Sequence, residues 1–63
     1  MAIEEEQYFR PLSKVDRIAA QYLLDEAEIE HRVDEAGDIV MDLDDTDEAA
    51  ELFDAEQVAI RSI

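Results

Sequence analysis

The spacing of hydrophobic residues along this 63-residue chain changes its period in an orderly way. Val15, Ile18, Ala19, Tyr22 and Leu23 recur at helical intervals and form one apolar stripe, the pattern of a helix that packs by a single face. Ser13 precedes the stripe with Asp16 three residues on, a capping-box-like start, and Glu26 would fall inside it, so the helix is expected to end near Asp25. Leu24 lies roughly opposite the stripe on a helical wheel and reads as a single exposed leucine, the sharper alternative being a contact with a second subunit or a target. Strict alternation follows, with Ile29, His31 and Val33 inward and Glu28, Glu30, Arg32 and Asp34 outward. The only glycine, Gly37, sits in Glu35-Ala36-Gly37-Asp38, a hairpin-turn sequence because glycine tolerates positive φ. Alternation then resumes with Ile39, Met41 and Leu43 inward and Val40, Asp42 and Asp44 outward. Asp45 or Thr46 caps a second helix with Ala49, Ala50, Leu52 and Phe53 on its buried face and Asp47, Glu48, Glu51 and Asp54 on the opposite arc. Residues 57–63 alternate again as a closing strand. Residues 2–12 are ambiguous: Ile3 and Phe9 share strand parity, Glu5 and Gln7 lie between them, and Pro11 ends the segment.

The order β, α, β, β, α, β is the split βαβ, ferredoxin-like pattern: a single α+β domain over residues 1–63 with two helices on one face of an antiparallel sheet. If the first segment is not a strand, the fallback is an αββα core with a terminal strand. Sixty-three residues sit near the size at which one core only just suffices. With no cysteine, neither a disulfide nor a thiolate metal site staples the fold. No apolar run approaches the ~20 residues that span a bilayer and no basic-then-apolar start suggests export, so a cytoplasmic location is the default.

Charge changes the picture more than composition does. Nineteen acidic residues against five Lys and Arg give a net charge of −14. Fifteen of those carboxylates lie between Asp25 and Glu56, where Arg32 is the only Lys or Arg; residues 1–24 are nearly neutral. Strong acidity can signal disorder, but 48% of the residues are hydrophobic and periodically placed, so the chain is expected to fold. A folded acidic surface repels nucleic acid and anionic membrane and attracts proteins with basic grooves. On the expected architecture the open face of the sheet carries Glu28, Glu30, Asp34, Asp42 and Asp44, where an RNA-binding sheet would carry aromatics and bases. Such a surface could imitate nucleic acid. A compact chain of this length has a radius of gyration near ~11 Å and a breadth of roughly 25–28 Å, over which duplex DNA carries about fifteen charges.

Other chemistry finds little footing. His31 alternates with Ile29 and Val33 and is read as a packing residue. Ser13 and Ser62 have no evident base, and no carboxylate pair is set apart for acid–base work. Asp42, Asp44, Asp45 and Asp47 resemble the start of a calcium loop, but the EF-hand pattern needs Gly where Asp47 stands and Glu where Phe53 stands. No metal or cofactor is implied.

In size, absence of cysteine and the acidic run through Glu28-Ile29-Glu30, Asp42-Leu43-Asp44-Asp45 and Asp47-Glu48, the chain resembles the small acidic inhibitors of phages and mobile elements, the anti-CRISPR and anti-restriction DNA mimics. The resemblance implies a stoichiometric, non-enzymatic inhibitor that blocks DNA binding by a host defence nuclease or CRISPR effector in the host cytoplasm. Its partner would be a protein with a basic nucleic-acid-binding groove, with no direct contact to nucleic acid or membrane. The partner-binding residues it implies are Glu28, Glu30, Asp34, Asp42, Asp44, Asp45, Asp47, Glu48, Glu51 and Asp54. The domain itself could be a monomer or a weak homodimer. Two alternatives stand beside this reading: a salt-adapted acidic domain, which one Lys against four Arg also fits, and a ferredoxin-like regulatory module that binds a ligand.

Overall fold

A computed structural model describes residues 3–63 and orders them as β1 (Glu6–Pro11), α1 (Lys14–Glu26), β2 (His31–Val33), β3 (Ile39–Asp42), a 3₁₀ turn (Leu43–Asp45), α2 (Thr46–Ala55) and β4 (Ile60–Ser62). All strand pairings are antiparallel and the sheet order is β2-β3-β1-β4. This is the ferredoxin-like α+β topology, with β3 lying between the two strands that α1 connects. The ambiguous first segment is a strand from Glu6, which removes the αββα fallback; Ala2 lies outside the described residues.

Register separates the two faces of the sheet. Phe9 pairs with Ile39, and Gln7 and His31 both pair with Met41. Phe9, Ile39 and Met41 form the core with Ala20 and Leu24 of α1, Ile29, and Ala49 and Phe53 of α2, so both helices cover this face. The Phe9 and Phe53 rings meet edge to face at 5.6 Å between centroids, a favoured aromatic geometry. The His31 side chain is 10% exposed on the same face and its Nδ1 lies 2.9 Å from the Ile29 carbonyl, in keeping with a packing role.

The ends of α1 follow its sequence. The Ser13 hydroxyl accepts from the Asp16 amide and donates to the Asp16 carboxylate. At the other end Ile29 N donates to Leu24 O and Glu28 N to Asp25 O, with Glu28 left-handed at φ 57°. That pair of bonds is a Schellman motif, and it carries the hydrophobic contact expected between Ile29 and Leu24. α2 ends the same way: Val58 N donates to Phe53 O, Gln57 N to Asp54 O, and Gln57 has φ 57°. In the hairpin, Gly37 has φ +85° and donates to Asp34 O, the positive-φ turn that its glycine called for.

The buried face of α1 corrects the sequence reading. Leu24, read as exposed, is 0% exposed, whereas Val15, Ile18 and Tyr22 are 75%, 56% and 63% exposed. At about 100° per residue these two sets lie roughly half a turn apart, so α1 is apolar on two arcs. The arc with fewer large residues meets the sheet because Ala20 has no bulk to hold the helix away and because the Schellman turn seats Leu24 on Ile29. Two smaller corrections have separate local causes. The chain leaves the sheet after Asp42, so Leu43 is exposed in the 3₁₀ turn, and because α2 buries the face of Ala49 and Phe53, Ala50 is turned about 100° away to solvent.

Candidate functional site

Three of the five bases lie on the open face of the sheet, which is therefore not the carboxylate surface expected from the strand pattern. Tyr8 and Arg32 flank Val40, Arg10 pairs with Arg61, and Glu6 pairs with Asp42. Arg10 makes a bidentate contact with the buried Asp38 carboxylate at 3.0 and 3.1 Å. Arg32 spans the sheet to reach Glu6 at 2.6 Å. Val40, whose register neighbours are Tyr8 and Arg32, points outward on this face yet is 0% exposed. The Arg10 guanidinium holds Asp38 below the ordinary carboxylate range, and Arg32, helped by the Tyr8 hydroxyl, does the same for Glu6. Arg61 has no ion pair among the described residues. Acid and base are close to balance here, and a nucleic-acid-like surface must be sought elsewhere.

It is found where β1 begins and β3 ends. A cleft of about 650 Å³ is lined by Ile3, Glu4, Glu28, Glu30, Asp42, Asp44 and Asp45. Each wall has a local cause. The left-handed Glu28 turns the chain out of α1 and leads Glu30 to the start of β2. Asp42 closes β3 and caps the 3₁₀ turn, its Oδ1 accepting from the Asp44 amide at 3.0 Å and its Oδ2 from the Glu4 amide at 3.1 Å. Those amides, Asp44 first, lower the Asp42 pKa and keep it ionised. Leu43 N donates to Glu5 O, tying the turn to the strand that precedes it.

The 3₁₀ turn runs directly into α2, whose outer arc presents Asp47, Glu48, Glu51 and Asp54, all exposed. Asp47 and Glu48 suit the positive end of the helix dipole; Asp54 and Glu56 stand at its negative end, where no base accompanies them. α1 repeats this with Asp25 and Glu26 in a last turn that also lacks a base. Two helices therefore carry acid where their own dipoles disfavour it. Glu28, Asp44, Asp45, Asp47, Glu48, Glu51 and Asp54 take part in none of the ion pairs among the described residues, which are Arg10–Asp38, Arg32–Glu6 and His31–Asp25.

Of the ten residues expected to bind a partner, the structure gathers Glu28, Glu30, Asp42, Asp44 and Asp45 at the cleft and Asp47, Glu48, Glu51 and Asp54 on α2. Asp34 stands apart in the hairpin, where its Oδ1 accepts from the amides of Ala36 and Asp38. Asp34 and Asp42 thus hold the backbone. The sequence reading missed Glu4 at the cleft, because the pairing that brings it to Asp42 spans thirty-eight residues and leaves no local pattern. Among the described residues no group of three or more His, Asp or Glu is arranged to hold a metal ion. Among those residues no helix is long and apolar enough to cross a membrane. The chain matches no protein-family model, no curated protein and no solved structure.

Proposed function

We propose that this domain is a non-enzymatic, acidic protein-binding module that occupies a basic nucleic-acid-binding groove on another protein, in the manner of a DNA mimic. The observation that carries the reading is the run of carboxylates from the cleft along α2, none of those named above neutralised by a base of the chain. Fourteen net charges over a longest dimension of 26 Å come to about one per 1.9 Å, close to the one per ~1.7 Å of duplex DNA. On α2 the rise of ~1.5 Å per residue sets Asp47, Glu51 and Asp54 about 4.5–6 Å apart, near the scale of phosphates along a strand. Acid retained at the negative ends of both helices costs stability, so a role outside the fold is the economical reason for it. Long-range attraction would speed association with a basic groove, and desolvated carboxylate–guanidinium pairs would slow release.

The test is competition. Labelled duplex DNA is bound to nucleases and CRISPR effectors with basic DNA channels, and its displacement by this chain is followed by anisotropy. The expected result is stoichiometric displacement from at least one of them, lost in the triple variant Asp44→Lys, Asp47→Lys, Glu51→Lys with an unchanged circular dichroism spectrum. Asp42 is left intact in that variant because it caps the 3₁₀ turn. Failure of the folded wild-type chain to displace DNA from any of them, or full activity of the triple variant, rules the reading out.

A further inference from the structure

The apolar arc that α1 turns to solvent is the feature that the acidic reading leaves unused. Val15, Ile18, Ala19, Tyr22 and Leu23, with Val58 and the carboxylate Glu56 at its side, line a groove of about 470 Å³. Leu12, just before the helix, is also 58% exposed. A cationic partner drawn to the cleft and α2 would meet Lys14 on the flank of this face, while Arg17 points away from it toward the Gly37 hairpin. We propose that this groove is the contact through which two copies of the chain pair, α1 against α1, antiparallel about a two-fold axis that crosses the helix midway between residues 19 and 20.

Two-fold pairing demands a self-complementary surface, and α1 provides one. Lys14 and Asp25 lie on the same flank of the outward arc, one near each end of the helix. Each is about 8 Å along the axis from the midpoint between residues 19 and 20. Antiparallel pairing about that point sets Lys14 of one copy level with Asp25 of the other, twice over, while Ile18 and Tyr22 interlock between them. Lys14 has no ion pair within the chain among the described residues, and Asp25 is 73% exposed with only His31 at 3.7 Å. The helix dipoles also oppose each other. The first twenty-four residues, which supply most of this face, are the nearly neutral part of the sequence.

Size and charge set the strength. A helix of thirteen residues is about 20 Å long, and its face with the flank formed by Val58 offers on the order of 500 Å² per copy. The total of about 1,000 Å² is the lower limit of specific interfaces, so the dimer is expected to be weak. Two bodies of charge −14 roughly 25 Å apart repel enough that moving from 0.15 to 1 M salt should tighten the dimer roughly tenfold.

Sedimentation equilibrium of the full chain from about 10 µM to 1 mM, in 0.15 and 1 M KCl, reads the state directly. A monomer–dimer equilibrium that tightens with salt is the expected result. Ile18→Glu should weaken it at least tenfold. Lys14→Glu and Asp25→Lys should each weaken it severalfold, and the double swap should restore it. Each single swap places the charge that the α1 dipole prefers at that end, so a lost dimer would not be a lost fold. A strict monomer at 1 mM in both salts overturns the proposal and leaves the groove to a foreign apolar partner. A dimer indifferent to these substitutions overturns it too, placing the contact on another face.

Discussion

Replacing Glu28 and Gln57 with glycine, one at a time, tests the two helix ends and the charge placed on one of them. Both residues hold φ 57° at the left-handed position of a Schellman turn. An L-residue there costs about 1–2 kcal/mol, against which glycine loses about 0.5–1 kcal/mol more backbone entropy on folding. The net gain from Gln57→Gly is therefore about 0.5–1 kcal/mol. Glu28→Gly adds the removal of a carboxylate beyond the negative end of α1, worth about 0.3–1 kcal/mol at low salt. With about 4–8 °C per kcal/mol in a domain this small, Gln57→Gly should raise Tm by about 2–8 °C and Glu28→Gly by a few degrees more. The excess is electrostatic and should vanish in 1 M KCl, where the Debye length is about 3 Å. Thermal unfolding followed by circular dichroism in 0.15 and 1 M KCl measures all four values. A lower Tm for both glycine variants would refute the Schellman assignment; an excess for Glu28→Gly that persists in high salt would refute the charge argument. Glu28 also lines the acidic cleft, so a stabilised Glu28→Gly chain that binds its partner less well would show stability given up for binding.

Three further outcomes follow from the packing. Leu24→Ala should cost about 3–5 kcal/mol, most of what a core of this size supplies, and leave the chain largely unfolded at 25 °C, while Ile18→Ala in dilute solution should change stability by about 0.5 kcal/mol or less; equilibrium urea unfolding ranks the two, and the reverse order would mean that α1 packs by its other arc. Asp34→Ala removes the acceptor for two turn amides and should cost about 1–2 kcal/mol, whereas Glu35→Ala beside it should be nearly neutral; equal effects in the same unfolding assay would deny Asp34 its structural role. On acidification from pH 7, falling net charge first relieves self-repulsion and raises Tm. Below about pH 4 the trend reverses, because Asp38, Glu6 and Asp42 have lowered folded pKa values, so their contributions exist above the unfolded carboxylate pKa and disappear as pH falls through the folded ones. A Tm that climbs without a maximum from pH 7 to pH 3 would contradict the pairings with Arg10 and Arg32.

Legibility in the sequence divides by the range of the interactions concerned. The element order, the Ser13 cap and the Gly37 turn are local matters, and the spacing of a few neighbouring residues was enough to find them. The orientation of α1 was not, because a helix with apolar residues on two arcs satisfies the same period whichever one it buries. Only the contact of Leu24 with Ile29 across the helix end, and the closeness that Ala20 permits, decide between them. The acidic surface was legible in amount and misplaced in part. Counting carboxylates gave the charge density, but register put Arg10, Arg32 and Arg61 on the open face and moved the acid to the cleft and α2. Asp34 and Asp42 carried no sign in sequence that their oxygens would be claimed by backbone amides two to thirty-eight residues away.

The strand order β2-β3-β1-β4 leaves β2 and β4 at the rims of the sheet, and each is only three residues long. Each rim strand also carries an arginine, Arg32 or Arg61. Short, charged rims give an incoming strand few backbone groups to pair with, and that route is the one by which sheets extend into fibrils. The pairing proposed for α1 would consume its own surface once two copies had met. Crowding this protein should therefore end in a saturable particle of fixed size, clear in solution at concentrations where an open-ended polymer would gel.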